Sequence, residues 1–327
     1  MKLLVIGNEE RTRKYLPDLP ITREVDIVVA ERGSSNEEIL ALAPDADFIL
    51  ADAIAPVDAE LIEHMPNLKL IHSEGVGFNL FDCESARAHG IYVCNNRGVN
   101  AIAVAEQTLL LMLGLCKHVC AGDKAVRAGK QINMKESLMV SGIEEIYGST
   151  IGLIGFGDIA REVAVRAHAF GARVFYNKRT PLSAENEDRF HAHYLSVDEM
   201  LACSDFVSIH VPVTPQTTGM VDAEFFAKMK DGAYLINTAR GEIVDNDACV
   251  EALKSGKITG AGFDTIAPEP VQTDNPLLNL PEDLQEKVLF SPHIGGVTTN
   301  MFKRAHTMAW ENIARVANGE APINIVS

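Results

Sequence analysis

Three short segments late in the chain carry a guanidinium, a carboxylate and an imidazole: Asn237-Thr-Ala-Arg240-Gly241, Gly262-Phe-Asp264-Thr-Ile-Ala-Pro-Glu269-Pro270 and Ser291-Pro-His293-Ile-Gly295-Gly296. Arginine presents a planar fork that matches a carboxylate and keeps its charge at any working pH. Histidine exchanges a proton near neutrality, and a carboxylate beside it orients the ring and stabilises the imidazolium. Groups of these types can grip an anionic ligand and exchange a proton with a reacting oxygen on which charge develops. Singly, each has a plain structural reading: Arg240 as a surface ion-pair partner, Glu269 as a loop acid between two prolines, His293 as a packed or capping residue. Jointly they favour catalysis, because all three follow strand-like runs, and α/β proteins bind ligands at the carboxyl edge of the sheet.

A second constellation is Gly155-Phe-Gly157-Asp158-Ile159-Ala160, entered from the apolar run Gly152-Leu-Ile154 and leading into a helix-like stretch to Ala169. The glycines of such a G-x-G-x-x-A turn let the main chain approach a pyrophosphate closely, with the free N–H groups of a helix N-terminus facing it. Ile159 lies in the first helical turn, and the Asp158 carboxylate must point away from the phosphates. A next strand, Val174-Phe-Tyr176, ends where such a fold places the adenosine ribose, and Asn177-Lys178-Arg179 follow. An acid at that point would bind a 2'-hydroxyl and repel a 2'-phosphate, so Asn177, Lys178 and Arg179 favour NADP, with NAD possible. The bland alternative is a solvated pair of loop cations.

The positioning elements can be read from apolar runs. Leu3 to Ile6, Val25 to Ala30, Phe48 to Ala51, Leu68 to Ser73 and Ile91 to Cys94 have strand length, with helix-like stretches such as Asp58 to Met65 between them. After a long apolar helix at Ala103 to Lys117 and a polar stretch around Gly122 to Glu145, alternation resumes. Strands are expected at Thr150 to Ile154, Arg173 to Tyr176, Phe206 to His210, Ala233 to Asn237 and Gly260 to Phe263. The pattern predicts an α/β protein with two doubly wound parallel-sheet domains, as the 327-residue length also suggests.

With 45 acidic and 29 basic residues the formal charge is -16, which speaks against nucleic acid and anionic lipid as partners. The six cysteines form no C-x-x-C pair and no metal-ligand spacing with histidine, so buried reduced thiols and no metal are expected. The N-terminal run is too short for a signal or a membrane span, which points to a cytoplasmic protein without membrane attachment.

Together these segments resemble the D-2-hydroxyacid dehydrogenase family, with further matches at Glu74-Gly-Val-Gly-Phe-Asn79, Val104-Ala-Glu106 and Val207-Ser-Ile-His-Val-Pro212. The resemblance runs through essentially the whole chain. Tyr176-Asn-Lys-Arg179 and Asp188-Arg-Phe-His-Ala-His-Tyr194 are most like NADPH-linked glyoxylate/hydroxypyruvate reductases. The resemblance implies an NAD(P)-dependent oxidoreductase acting on CH–OH donors, interconverting a small 2-oxo acid such as glyoxylate or hydroxypyruvate with the D-2-hydroxy acid. It implies that Arg240 grips the substrate carboxylate and polarises the 2-oxo group, that His293 exchanges the proton and that Glu269 orients and charges His293. It further implies substrate contact by the backbone at Val76 and Gly77, and cofactor contacts at Val211, Pro212, Thr217, Thr238, Ala239 and Gly295, with Asp264 near the nicotinamide carboxamide.

By the same resemblance, a Rossmann nucleotide domain of residues 102–291 is inserted into a flavodoxin-like catalytic domain of residues 1–101 and 292–327. The protein is then expected to be a homodimer, with the Ala103 to Lys117 helix contributing to the interface. A rival from another class is a nucleotide-sensing, corepressor-like regulator on the same scaffold, against which the intact Arg240, Glu269 and His293 argue. A formate-type dehydrogenase would pair its histidine with glutamine, so Glu269 argues against that too.

Overall fold

A computed structural model describes residues 1–326, which divide into two compact units: Met1–Asn100 with the stretch from Val297, and Ala101–Gly296. The expected boundary gave 292–296 to the first unit. Instead those residues pack with the second, because the Asp264 carboxylate accepts from the main-chain N–H groups of Ile294 at 3.0 Å and Gly295 at 2.8 Å.

In the first unit the strands are β1 (Lys2–Gly7), β2 (Asp26–Glu31), β3 (Phe48–Ala51), β4 (Leu70–Ser73) and β5 (Tyr92–Cys94). They form one parallel sheet in the order β2-β1-β3-β4-β5, the flavodoxin order. A parallel sheet is covered on both faces, which is why its strands read as unbroken apolar runs rather than as alternation. In β1, Leu4 and Ile6 face a layer that includes Ile39, Leu61 and Ile62, whereas Leu3 and Val5 face Ala309, Trp310 and Ile313. The last three belong to the helix Thr299–Ala317, so the C-terminal chain returns here to bury one side of the sheet. Helix starts follow the side-chain chemistry: Asn8, Asp58 and Asp82 each accept from the N3 amide, and Ser35 with Glu38 closes a capping box.

The second unit holds β6 (Thr150–Ile154), β7 (Arg173–Asn177), β8 (Ala192–Tyr194), β9 (Phe206–Ile209), β10 (Ala233–Asn237), β11 (Ile258–Phe263) and β12 (Val288–Phe290). All are parallel, in the order β12-β11-β10-β9-β6-β7-β8. Counted from β6 this is the dinucleotide-binding order with one strand added, and the direction of winding reverses between β6 and β9. The three-residue β8 had no sequence signal of its own.

The helix Ala101–Cys116 lies on this sheet with Leu111 and Leu115 against Gly260 and Gly262. Most of this helix is buried in its own unit, and Leu110 alone of its leucines is strongly exposed. The polar stretch around Gly122 to Glu145 holds two helices, Val119–Arg127 and Gln131–Ser141, with exposed Val126, Ile132, Met139 and Val140. Cys94, Cys116 and Cys249 are buried thiols as expected, but Cys120 and Cys203 are exposed. Among the described residues no single helix is long and apolar enough to cross a membrane.

Candidate active site

The loops after β10, β11 and β12, three neighbouring strands, carry Arg240, Glu269 and His293. The first loop is shaped by buried Asn237, whose Nδ2 donates to the Arg240 carbonyl at 2.8 Å and whose Oδ1 accepts from the Ala239 amide at 3.0 Å. Gly241 then packs against the Ile266–Ala267 backbone so closely that a Cβ would collide with it, which joins the arginine loop to the Glu269 loop. Asn246 and Asn275 each donate to the Ala267 carbonyl at 2.9 Å. Arg240 itself is exposed and forms no ion pair among the described residues, its Nη1 donating only to the Ala239 carbonyl at 2.7 Å.

His293 Nδ1 lies 2.6 Å from Glu269 Oε1. A carboxylate only accepts, so Nδ1 carries the proton of that bond and Nε2 is turned outward, with no partner among the described residues. The residue holds a left-handed backbone, φ 56°, an uncommon state for a side-chain-bearing residue that the surrounding bonds enforce. Those bonds converge on Asp264, 3 % exposed: Oδ1 accepts from Ser291 Oγ at 2.5 Å and from the Ile294 amide, and Oδ2 from the Gly295 amide. Gln107 Nε2 in turn donates to Ser291 Oγ at 2.8 Å. Asp264 thus anchors the histidine loop, while Oδ2, with one donor, can accept another.

The glycine turn lies between β6 and the helix Asp158–Ala169. Gly155 has φ +90°, and a Cβ there would strike the His210 carbonyl, so only glycine fits. Gly157 caps the helix with open space around its Cβ position, and Ala160 is fully buried. Asp158 lies 3.9 Å from Arg161. This cradle of a free helix N-terminus and an unobstructed glycine fits a pyrophosphate. At the end of β7, Asn177 donates to the Leu195 carbonyl at 2.8 Å, and Lys178 and exposed Arg179 form no ion pair among the described residues.

The other expected cofactor residues are more occupied with one another. Thr217 Oγ1 donates to the Pro212 carbonyl at 2.6 Å, closing the turn that begins at Val211, and Thr238 shares a hydroxyl contact of 3.0 Å with Thr108. His210 contacts Ser208 Oγ at 2.9 Å, as a packed histidine would.

In the first unit, Val76 and Gly77 follow β4. Here the carbonyls are held inward: Gly75 O by the Asn96 amide at 2.8 Å, Val76 O by Asn95 Nδ2 at 2.8 Å and Gly77 O by Ser73 Oγ at 2.6 Å. In a trans peptide the N–H opposes the C=O, so the amides of Val76 and Gly77 point the other way. They find no acceptor among the described residues. Successive outward amides form an anion-binding concavity.

Sequence reasoning missed the groups that build these loops. Ser73, Asn95, Asn96, Gln107, Asn237 and Ser291 are ordinary residue types whose partners are mostly distant in sequence, so no local pattern marks them.

Residues 109–295 match the model of the D-isomer specific 2-hydroxyacid dehydrogenase NAD binding domain. The chain is 34% identical over 330 residues to a glyoxylate reductase of Korarchaeum cryptofilum, covering 100% of this chain and 96% of that protein. It is 35% identical over 307 residues to the glyoxylate reductase of Thermococcus onnurineus, covering 93% and 90%. Among solved structures, the NAD-complexed D-isomer specific 2-hydroxyacid dehydrogenase of Lactobacillus delbrueckii is similar with a TM-score of 0.84 at 26% identity, over 100% of both chains. The protein belongs to the D-isomer specific 2-hydroxyacid dehydrogenase family. It is an oxidoreductase of CH–OH donors that works on 2-hydroxy acids with a nicotinamide cofactor.

Proposed function

We propose that the protein is an NADPH-preferring reductase of small 2-oxo acids, glyoxylate or hydroxypyruvate, yielding the 2-hydroxy acid, in its D form where the product is chiral. The observation that carries the reading is the His293–Glu269 pair, with Nε2 unpartnered, together with an arginine without an ion pair on the loop after β10 in the same sheet. Gly155, Gly157, Asp158 and Ile159 would hold the pyrophosphate, and Asn177, Lys178 and Arg179 the adenosine end. Val211, Pro212, Thr217, Thr238, Ala239 and Gly295 would line the rest, with Asp264 reaching the carboxamide. When bound, the nicotinamide supplies the hydride.

The chain's own residues do the remainder. The Arg240 guanidinium and the amides of Val76 and Gly77 bind the substrate carboxylate, and Arg240 also draws charge from the 2-oxo group. His293 Nε2 delivers the proton to the developing alkoxide, while Glu269 holds the ring by Nδ1 and stabilises the imidazolium before transfer. Two unpaired cations at the end of β7 support a 2'-phosphate over a 2'-hydroxyl. A panel of glyoxylate, hydroxypyruvate and bulkier 2-oxo acids, each with NADPH and NADH, tests this. Preference for NADPH with the small acids is expected, and turnover only of bulky acids or only with NADH would overturn it.

We read the exposed apolar residues Val126, Ile132, Met139 and Val140 as the face of a homodimer. Light scattering is expected to give twice the 35.5 kDa chain mass and to fall to one chain in Met139→Glu/Val140→Glu. A monomeric parent protein would end that reading.

A further inference from the structure

Glu74 stands immediately before an amide cradle for an anion, where a free carboxylate would repel the ligand. Its side chain is only 10 % exposed and is fully engaged. Arg11 donates to it through Nε at 2.9 Å and through Nη2, and His306 Nε2 lies 2.9 Å from its Oε1. Arg11 also reaches Asp52 at 3.0 Å, lies over the Phe302 ring at 5.5 Å and has that ring stacked on Tyr15. The cluster therefore ties the start of the Gly75–Gly77 loop to the helix after β1, to the loop after β3 and to the helix Thr299–Ala317. His306 is 1 % exposed and its Nδ1 has no partner among the described residues, so its interaction with Glu74 is the polar bond that fixes the ring.

A neutral residue at 74 would spare the cradle any repulsion, so the acid needs a reason to be there. The geometry supplies one: the Glu74 carboxylate meets the Arg11 guanidinium and the His306 imidazole, on different elements, at once, and the bonds to a guanidinium are strongest from a charged acceptor. We propose that Glu74 is a positioning residue for the amide cradle, clamped by Arg11 and His306, with Arg11 also offsetting part of the negative charge that Glu74 and Asp52 would otherwise set beside a bound 2-oxo acid carboxylate. The inference rests on the reading of the Val76–Gly77 amides as the carboxylate site.

The test is steady-state kinetics with glyoxylate, NADPH and NADH on Arg11→Ala, Arg11→Lys, Glu74→Gln and Arg11→Ala/Glu74→Gln, with Asn95→Ala as a variant that releases the Val76 carbonyl directly. Arg11→Ala is expected to raise the glyoxylate KM about tenfold while kcat and both cofactor KM values stay within about twofold, because only binding of the carboxylate is disturbed. Glu74→Gln keeps the shape and should raise KM about threefold, and Arg11→Lys should recover part of the loss. The double variant should bind glyoxylate better than Arg11→Ala, since one uncompensated charge is gone. If Asn95→Ala raises KM but the Arg11 and Glu74 variants lower only the melting temperature, the clamp has no role in binding and the proposal fails with the loop reading intact. If none of them raises KM, the loop is not the carboxylate site and both readings fall. Should Arg11→Ala not fold, Arg11→Lys and Glu74→Gln decide between the same outcomes.

Discussion

The two sheets present their carboxyl edges differently. After β10, β11 and β12 the side chains proposed for the chemistry protrude, His293 at 39 % and Glu269 at 51 % side-chain exposure. After β4 the side chains of Ser73 and Asn95 are turned onto main-chain carbonyls, so that the amides of Val76 and Gly77 are the polar groups left without a partner among the described residues. The difference matches the roles proposed for each. Proton transfer needs a group whose charge can change and which a substrate can touch, whereas holding a carboxylate needs only fixed dipoles, which cost little to keep in place once their carbonyls are satisfied.

The contrast can be broken most sharply at the side-chain edge. His293→Ala and Arg240→Ala should each lower kcat/KM roughly a hundredfold or more, the scale of a lost acid–base or transition-state contact. Near-parent kinetics in either would remove the chemical role of that edge. At the buried edge the largest expected effect is on stability. Burial pushes His72 below its ordinary 6.5 to about 4, helped by nearby His306 and opposed by the bond to the Ser73 carbonyl. The folded pKa is thus below the unfolded one, so His72 costs nothing above pH 6.5, and stability drains away as pH falls towards 4. The loss is on the order of 3 kcal/mol in all. Denaturant titrations between those limits should show this slope, reduced in His72→Gln; an unchanged slope would mean the histidine is not held neutral.

A smaller effect sharpens the cofactor end of the second unit. Lys178→Ala/Arg179→Ala should raise KM for NADPH about tenfold and leave NADH nearly unchanged, since two charge-assisted contacts are removed from the phosphate alone. Equal losses would make the pair a solvated loop feature. Smallest is Tyr176→Phe, which removes a hydroxyl that accepts from the Leu182 amide at 2.7 Å and meets Glu187 at 2.8 Å. About 1 kcal/mol of stability should go, read from the urea midpoint, with kinetics unmoved.

Most elements were legible because a parallel sheet needs unbroken apolar strands, so Leu3 to Ile6 or Ala233 to Asn237 could hardly be anything else. β8 was not, since three residues pairing with β7 leave too little pattern. In the helices Val119–Arg127 and Gln131–Ser141 the apolar residues face outward, Val140 at 90 % exposure, so they carry no core-facing stripe. Apolar content alone does not say which side of a helix is already covered, as the largely buried Ala101–Cys116 helix shows.

The chain by itself determined which chemistries were on offer, because residue types and their place after strands dictate what can be charged, what can donate and where glycine is required. Tertiary structure alone decided which oxygen His293 meets, that Asp264 fastens the histidine loop, and that Glu74 is tied to Arg11 and His306. Each of those depends on side chains from separate strands or helices meeting within hydrogen-bond distance, and such a short-range interaction leaves no trace in sequence spacing.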